Sequence, residues 1–225
     1  MKTIAVVPAY NEGRTIGTVL SELRPFVNAM IVVDDGSRDA TGDIAKHSGA
    51  IVYRHVLNRG LGASLGTGIA AALLHGADII VTFDADGQHR ASDIPALIAP
   101  LYDGKADVAI GVRTKNKRAM PTGRRIANTM ANVITFFLFG IWTRDSQSGF
   151  RAFTREAASA IDLVQYHFEN MEVSSAILSE VTRHKFRLAE VPIEPVYTPY
   201  SLSKGQGFRE GVRTLVRLIM YRVLH

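Results

Sequence analysis

Ile79-Ile80-Val81-Thr82-Phe83-Asp84-Ala85-Asp86-Gly87-Gln88-His89 is the stretch from which the fold is read. The run from Asp78 to Phe83 has the length and apolar character of a buried strand, and it ends at an acidic cluster. Two carboxylates one residue apart, on a chain leaving a strand, can converge on one hard cation. Such a cation keeps positions open for the oxygens of a diphosphate. Held this close, ionised carboxylates repel each other, and a cation relieves the repulsion. Acidic turns with glycine also close many strands, so the pair alone leaves both readings open.

Working outward, the first 110 residues alternate short apolar runs with helical patterns, as a parallel α/β sheet requires. Strands are expected over Ile4–Val7, Met30–Val33, Ile51–Arg54 and Val108–Gly111. Helices are expected over Thr15–Leu23, Ala40–His47, Leu61–His75 and Ile94–Leu101. The polar motifs fall just after the strands, at the carboxyl ends where open α/β sheets bind ligands.

Three such motifs accompany the acidic cluster. Pro8-Ala9-Tyr10-Asn11-Glu12 follows the first strand; Pro8 can end it, and Tyr10 offers an aromatic face to a base. In Val32-Val33-Asp34-Asp35-Gly36-Ser37-Arg38-Asp39-Ala40-Thr41, Ser37 or Asp39 can cap the next helix. Capping leaves Asp34 and Asp35 unexplained, and a carboxylate there can accept from the ring N–H of a nucleobase. Asn58-Arg59-Gly60-Leu61-Gly62-Ala63 opens a helix on a glycine turn. Its Gly-x-Gly-x-x-x-Gly spacing is not a dinucleotide fingerprint, because it follows the third strand and lacks a clearly placed downstream acid.

Composition narrows the classes. The chain has 225 residues, enough for one domain with a small appendage, and 47% hydrophobic residues to fill its core. It has no cysteine, which excludes disulfides and thiolate chemistry and suits a cytosolic compartment. Met1–Pro8 lacks the basic start and cleavage site of a signal peptide. The net charge of +5 gathers between Arg113 and Arg125 and between Lys204 and Arg222, without an aromatic-interleaved nucleic-acid module. A phosphate-bearing partner, and no nucleic acid, is expected.

In order and spacing these motifs resemble the nucleotide-sugar domain of family 2 glycosyltransferases, over about residues 3–205. More narrowly they resemble dolichyl-phosphate mannose synthase and related polyprenyl-phosphate glycosyltransferases. The matching stretches are PAYNE at 8–12, VVDDGSRDAT at 32–41, NRGLGAS at 58–64, DADGQH at 84–89, GVR at 111–113 and DSQSGFRAF at 145–153. The resemblance implies an α/β GT-A fold: a mostly parallel nucleotide-binding sheet flanked by helices.

It also implies roles. Pro8, Tyr10 and Glu12 would line the nucleoside pocket, with Val33 and Asp35 at base and ribose. Asp84, Asp86 and Gln88 would hold Mg²⁺ or Mn²⁺, with the Ala85 backbone beside the ribose or diphosphate. Arg113, and Arg124 with Asn128, would meet the acceptor phosphate, and Lys204 would close over the diphosphate. Relatives carry Tyr-x-x-Arg after the last strand; here Tyr200 stands where the arginine would fall. GDP-mannose, UDP-glucose and UDP-N-acetylglucosamine therefore all stay open as donors. The implied reaction is an inverting, in-line attack by the acceptor oxygen.

Membrane contact is expected in two places. Between Arg125 and Arg144 lie 18 uncharged residues, near the lower limit for a span. Arg124, Asn128, Asn132 and Thr135 form a polar stripe along them, which reads as an interfacial helix with its polar side toward the active site. A buried helix is the competing reading. After a domain over 1–205, residues 206–225 read as a basic amphipathic helix without a span, with Phe208, Val212, Leu215 and Ile219 on one face and Arg209, Arg213 and Arg217 on another. The partners expected are a GDP- or UDP-linked sugar, a dolichyl or polyprenyl phosphate, a membrane surface touched peripherally from the cytoplasmic side, and a separate anchoring subunit. Two alternatives stand beside this: a soluble family 2 enzyme acting on a sugar or protein hydroxyl, with Asp145 as base, and an inactive nucleotide-sugar-binding or anchoring subunit.

Overall fold

The computed structural model describes residues 1–113, 129–130, 132–133, 135–137, 140–161, 172–194 and 196. Arg124, Asn128, Lys204 and the helix expected over 206–225 lie outside the described residues.

The apolar runs form a seven-stranded sheet in the order β3-β2-β1-β4-β6-β5-β7. Its strands are β1 (Thr3–Ala9), β2 (Ala29–Asp34), β3 (Ile51–Arg54), β4 (Ile79–Thr82), β5 (Val108–Val112), β6 (Arg151–Thr154) and β7 (Leu188–Pro192). β1, β2, β3 and β4 pair in parallel, as do β5 and β7, while β6 runs antiparallel between β4 and β5. The sheet is thus mostly parallel, as expected, with one reversed strand. That reversal brings the entry to β6, residues 145–150, to the rim where β1, β2, β4 and β5 end.

Both faces of the sheet are covered, which is why its central strands read as continuous apolar runs. Ala5, Val7, Val32 and Val81 face a core shared with α1 (Ile16–Leu23) and α4 (Ile94–Tyr102). Ile4, Val6, Ile31, Val33 and Ile80 face a second core with α3 (Gly60–Leu74) and the helices Arg155–Ala160 and Glu172–Arg183. α2 (Thr41–His47) packs beside α1. The last two helices, β6 and β7 have no counterpart among the elements expected from the sequence. In Glu172–Arg183 the buried Val173, Ala176, Ile177 and Val181 are helically spaced, but serines, threonine and charges fill the gaps.

α3 lies very close to β1. A β-carbon on Gly68 would overlap Val6 Cγ1 and stand 3.2 Å from Val33 Cγ2. Gly68→Ala is therefore expected to destabilise the fold by about 1–3 kcal/mol through overpacking, despite alanine's better helix propensity. Urea unfolding followed by circular dichroism checks this.

The described residues between Thr129 and Phe137 are helical, with an inverted pattern. Polar Asn132 and Thr135 are buried, while Met130, Phe136, Phe137 and Trp142 are exposed. Asn132 donates to Arg144 O (2.8 Å) and accepts from Ser146 N (2.8 Å), tying the helix to the entry of β6. Among the described residues no helix is long and apolar enough to cross a membrane.

Candidate active site

The loops after β1 and β2 clasp each other. Asn11, in the left-handed region at φ 55°, donates its N–H to Ser37 Oγ and accepts at Oδ1 from Arg38 N. Glu12 N donates to Thr41 Oγ1 at 2.8 Å, and Gly13 N to Asp39 Oδ2 at 3.0 Å. Burial pushes the Asp39 carboxyl upward, but hydrogen bonds from the Thr41 hydroxyl and from the backbone of Gly13 and Thr41 together outweigh it and hold the group below the usual carboxylate range. Two motifs whose paired residues lie 26 to 29 positions apart in sequence thereby form one wall, with Tyr10 exposed on it.

The expected nucleoside residues divide by what they touch. Glu12 is buried and accepts from Thr15 Oγ1 at 3.0 Å, so it also stabilises the start of α1. Val33 turns its side chain into the core beneath α3, leaving only its main chain for a ligand. Pro8 does not end β1, which pairs on through Ala9; it is the partner of Val33 in the β1–β2 register and is half-buried. Asp34 accepts from Ser37 N at 2.9 Å and lies against Gly42, a turn-holding role. Asp35 accepts from His55 Nδ1, Arg59 N and Gly60 N, and so joins β2 to the start of α3.

The acidic cluster sits at the end of β4. Asp84 accepts from or shares a proton with His89 Nε2 at 2.8 Å, and His89 is buried between the rings of Phe83 and Phe150. Burial pushes the Asp84 carboxyl upward, but the His89 hydrogen bond and the charges of His89, Arg113 and Arg151 outweigh it and hold the group low. Burial and the charge of Asp84 together push Asp86 above the usual range. Asp86 accepts from Gln88 N at 3.0 Å and from the Gln88 side-chain amide. Ala85, buried between the two acids, packs into the core.

Across from Asp84 stands the entry to β6. A β-carbon on Gly149 would lie 2.5 Å from Asp84 Oδ1 and 2.7 Å from Oδ2, so any side chain here would have to displace the Asp84 carboxylate. Asp145, just upstream, is buried and forked by Arg113: Nε to Oδ2 at 2.6 Å, Nη2 to Oδ1 at 2.7 Å, and the Arg113 backbone N to Oδ2 at 3.1 Å. A carboxylate so engaged serves as counter-ion and orienter of Arg113, which weighs against its use as a base. Arg151 is buried, donates to Ser146 O at 2.9 Å, and is lowered to about 10 by burial against the opposing pull of Asp145 and Asp84.

The residues fit a divalent cation. Two carboxylates meet at the rim with a like-charge conflict that a cation would relieve, and Gly149 keeps the space beside Asp84 open. Among the described residues no group of three or more His, Asp or Glu side chains is placed to hold a metal. A cation would therefore rely on Asp84, Asp86 and the Gln88 amide oxygen, and on ligands brought by the substrate.

Sequence reasoning gave no role to His55, His89 or Arg151. Each leaves a signal: His55 is the first residue after β3, His89 follows the acidic motif directly, and Arg151 opens a strand otherwise apolar at its centre.

The sequence profile described as glycosyl transferase family 2 matches residues 4–162. The UDP-N-acetylglucosamine–dolichyl-phosphate N-acetylglucosaminyltransferase of Methanococcus voltae is 34% identical over 97% of this chain and 95% of its own length. The polyprenol monophosphomannose synthase of Mycolicibacterium smegmatis is 31% identical over 94% of this chain and 84% of its own. Glucosyl-3-phosphoglycerate synthase from Mycobacterium tuberculosis, solved with Mn²⁺, UDP and phosphoglyceric acid, shares the fold at a TM-score of 0.75 and 21% identity, over 98% of this chain and 78% of that one. With the GT-A sheet order and the acidic rim already in place, the matched profile and these relatives make the chain a member of glycosyl transferase family 2 and a glycosyltransferase.

Proposed function

We propose that the enzyme transfers a sugar, with inversion, from a nucleotide-sugar donor to a dolichyl or polyprenyl phosphate at a membrane surface. The observation that carries this reading is the rim itself, where the Asp84–Asp86 pair lies against Gly149 and feels the charge of Arg113, itself forked on Asp145. The acidic side suits a metal-bound diphosphate and the arginine side suits an anionic acceptor. The relatives named above support the lipid acceptor, since both are named for dolichyl or polyprenol substrates.

Asp84, Asp86 and Gln88 would hold Mg²⁺ or Mn²⁺. When bound, the ion supplies Lewis-acid stabilisation of charge on the departing nucleoside diphosphate. His89 and Gly149 hold Asp84 in place. Tyr10 and Asp35 receive the nucleoside, with Pro8, Glu12 and the main chain of Val33 and Ala85 shaping its pocket; Lys204 closes over the diphosphate. Arg113, with Arg124 and Asn128, orients the acceptor phosphate, which is already anionic and so needs no strong base. The buried fork on Asp145 keeps the Arg113 guanidinium pre-aimed.

Exposed Met130, Phe136 and Phe137, with Trp142 of the following segment set against Phe136 and with Asn132 and Thr135 buried behind them, support peripheral seating of this helix in the membrane interface. The basic segment 206–225, which its sequence pattern marks as amphipathic, would add attraction to anionic lipid on the cytoplasmic side, or bind an anchoring subunit.

The donor is GDP-mannose, UDP-glucose or UDP-N-acetylglucosamine. Purified enzyme with Mn²⁺, a panel of UDP- and GDP-sugars and a polyprenyl phosphate, read by product mass, identifies it. Transfer only to a soluble hydroxyl would overturn the lipid reading.

Arg113→Ala is expected to lower transfer to polyprenyl phosphate by at least about tenfold, with donor affinity nearly unchanged. Because the alanine variant strands the buried Asp145, Arg113→Lys is measured beside it; it keeps the charge, loses the fork, and should recover part of the rate. An equal loss of donor binding would assign Arg113 to the diphosphate instead.

A further inference from the structure

We propose that His55 is a positioning residue for nucleobase recognition: it holds the Asp35 carboxylate in the orientation that accepts a base ring N–H. This rests on the reading above in which Asp35 meets the donor's base.

Asp35 lies one residue beyond β2, buried. Its Oδ1 accepts from Arg59 N at 2.9 Å and its Oδ2 from Gly60 N at 2.8 Å, both at the start of α3. Two backbone donors already make this carboxylate an acceptor, so His55 Nδ1, 2.6 Å from Oδ1, must bring the proton. The other ring nitrogen, Nε2, lies 3.0 Å from Thr67 Oγ1, two turns into α3. A neutral ring with Nδ1–H satisfies both contacts, with the Thr67 hydroxyl donating to Nε2. His55 itself is buried, and its backbone N donates to Asp34 O at 2.9 Å.

The geometry has a consequence for binding. An ionised carboxylate offers about four acceptor positions. Oδ1 has two donors and Oδ2 one, so among the described residues one position is left, on Oδ2. The two backbone donors come from adjacent residues at one helix end. The imidazole approaches from elsewhere, braced on the body of α3, and limits rotation of the carboxylate about its own bond. That rotation decides where the remaining acceptor position points. A ring N–H, N3–H of uracil or N1–H of guanine, is the donor such a single fixed position can select.

The test separates this role from plain support of the fold. Calorimetry measures the affinity of the full chain for UDP and for N3-methyl-UDP, and for GDP and N1-methyl-GDP. The preference for the unmethylated base reports the Asp35 contact alone. His55→Leu is expected to reduce that preference at least about fivefold while affinity for the methylated nucleotide stays close to wild type. His55→Asn, whose amide N–H can replace Nδ1–H, should restore most of it, and Thr67→Val should reduce it mildly. An unchanged preference in His55→Leu, with only a lower melting temperature, would overturn the proposal and leave His55 as structure. A wild-type protein that binds UDP or GDP without preferring the unmethylated base would overturn base reading by Asp35, and this proposal with it, while sparing the sugar-transfer reading. Binding of neither nucleotide would overturn both.

Discussion

Asp86→Asn is expected to lower sugar transfer by at least about a hundredfold while leaving the fold intact. The variant keeps the shape of the side chain and loses the anionic ligand. Its effect on stability should run the other way. Burial and the charge of Asp84 raise the Asp86 pKa in the folded protein, so ionising Asp86 costs more folded than unfolded. That term favours the fold below the ordinary carboxylate pKa and is lost as pH rises through the raised value. At neutral pH without metal, Asp86→Asn should therefore melt at the same temperature as wild type or higher. Added Mn²⁺ should raise the melting temperature of wild type more than that of the variant. Thermal melts from acidic to neutral pH, with and without Mn²⁺, check both signs beside the rate. A variant that retains near-normal transfer in the presence of chelator would remove Asp86 from the chemistry.

The same residues show how far the sequence could be read. Strands β1 to β5 and helices α1 to α4 were legible, within one or two residues at most ends, because both faces of the sheet are covered and the apolar runs are unbroken. β6 was seen as a motif and not as a strand, since only four residues pair and the decisive fact is direction. Antiparallel pairing is a property of the whole sheet, and no local pattern in Arg151–Thr154 announces it. Without it, Asp145 and Gly149 have no reason to lie beside Asp84.

The place of the acidic pair, at the end of β4, was legible from the apolar run before it, although Asp-x-Asp alone left the cation reading and the plain acidic turn both open. Its supports were not. His55 and His89 act through partners 20 and 5 residues away, and an isolated histidine says nothing of which carboxylate it will meet. Asp34 stands beside Asp35 in the sequence but turns elsewhere: its Oδ1 accepts from Ser37 N and its Oδ2 lies 3.4 Å from Arg54 Nε, so it braces the turn and not the start of α3. Asp145 was legible as a carboxylate near the site, but its pairing with Arg113 requires β5 and the entry of β6 to be neighbours.

Gly149→Ala is expected to cost at least about a hundredfold in transfer, although no chemical group is removed. The backbone at this point is pinned on both sides. Thr82 Oγ1 donates to Gly149 O at 2.7 Å, and Gly111 N donates to Phe150 O at 2.9 Å. The new methyl would meet Asp84 at 2.5 Å from Oδ1, 2.7 Å from Oδ2 and 2.9 Å from Cγ, so something has to shift. Asp84 is the part that is free to turn, and turning it breaks the 2.8 Å contact with His89, which is itself wedged between Phe83 and Phe150. Displacing a reacting-site group by about 1 Å commonly costs about a hundredfold. Overpacking should add a stability loss of about 1–3 kcal/mol, readable in urea. Because both changes act on one group, Asp84→Ala combined with Gly149→Ala should be scarcely slower than Asp84→Ala alone. Additive losses, or a Gly149→Ala enzyme with near wild-type rate, would show that the close approach of β6 does not set the position of Asp84.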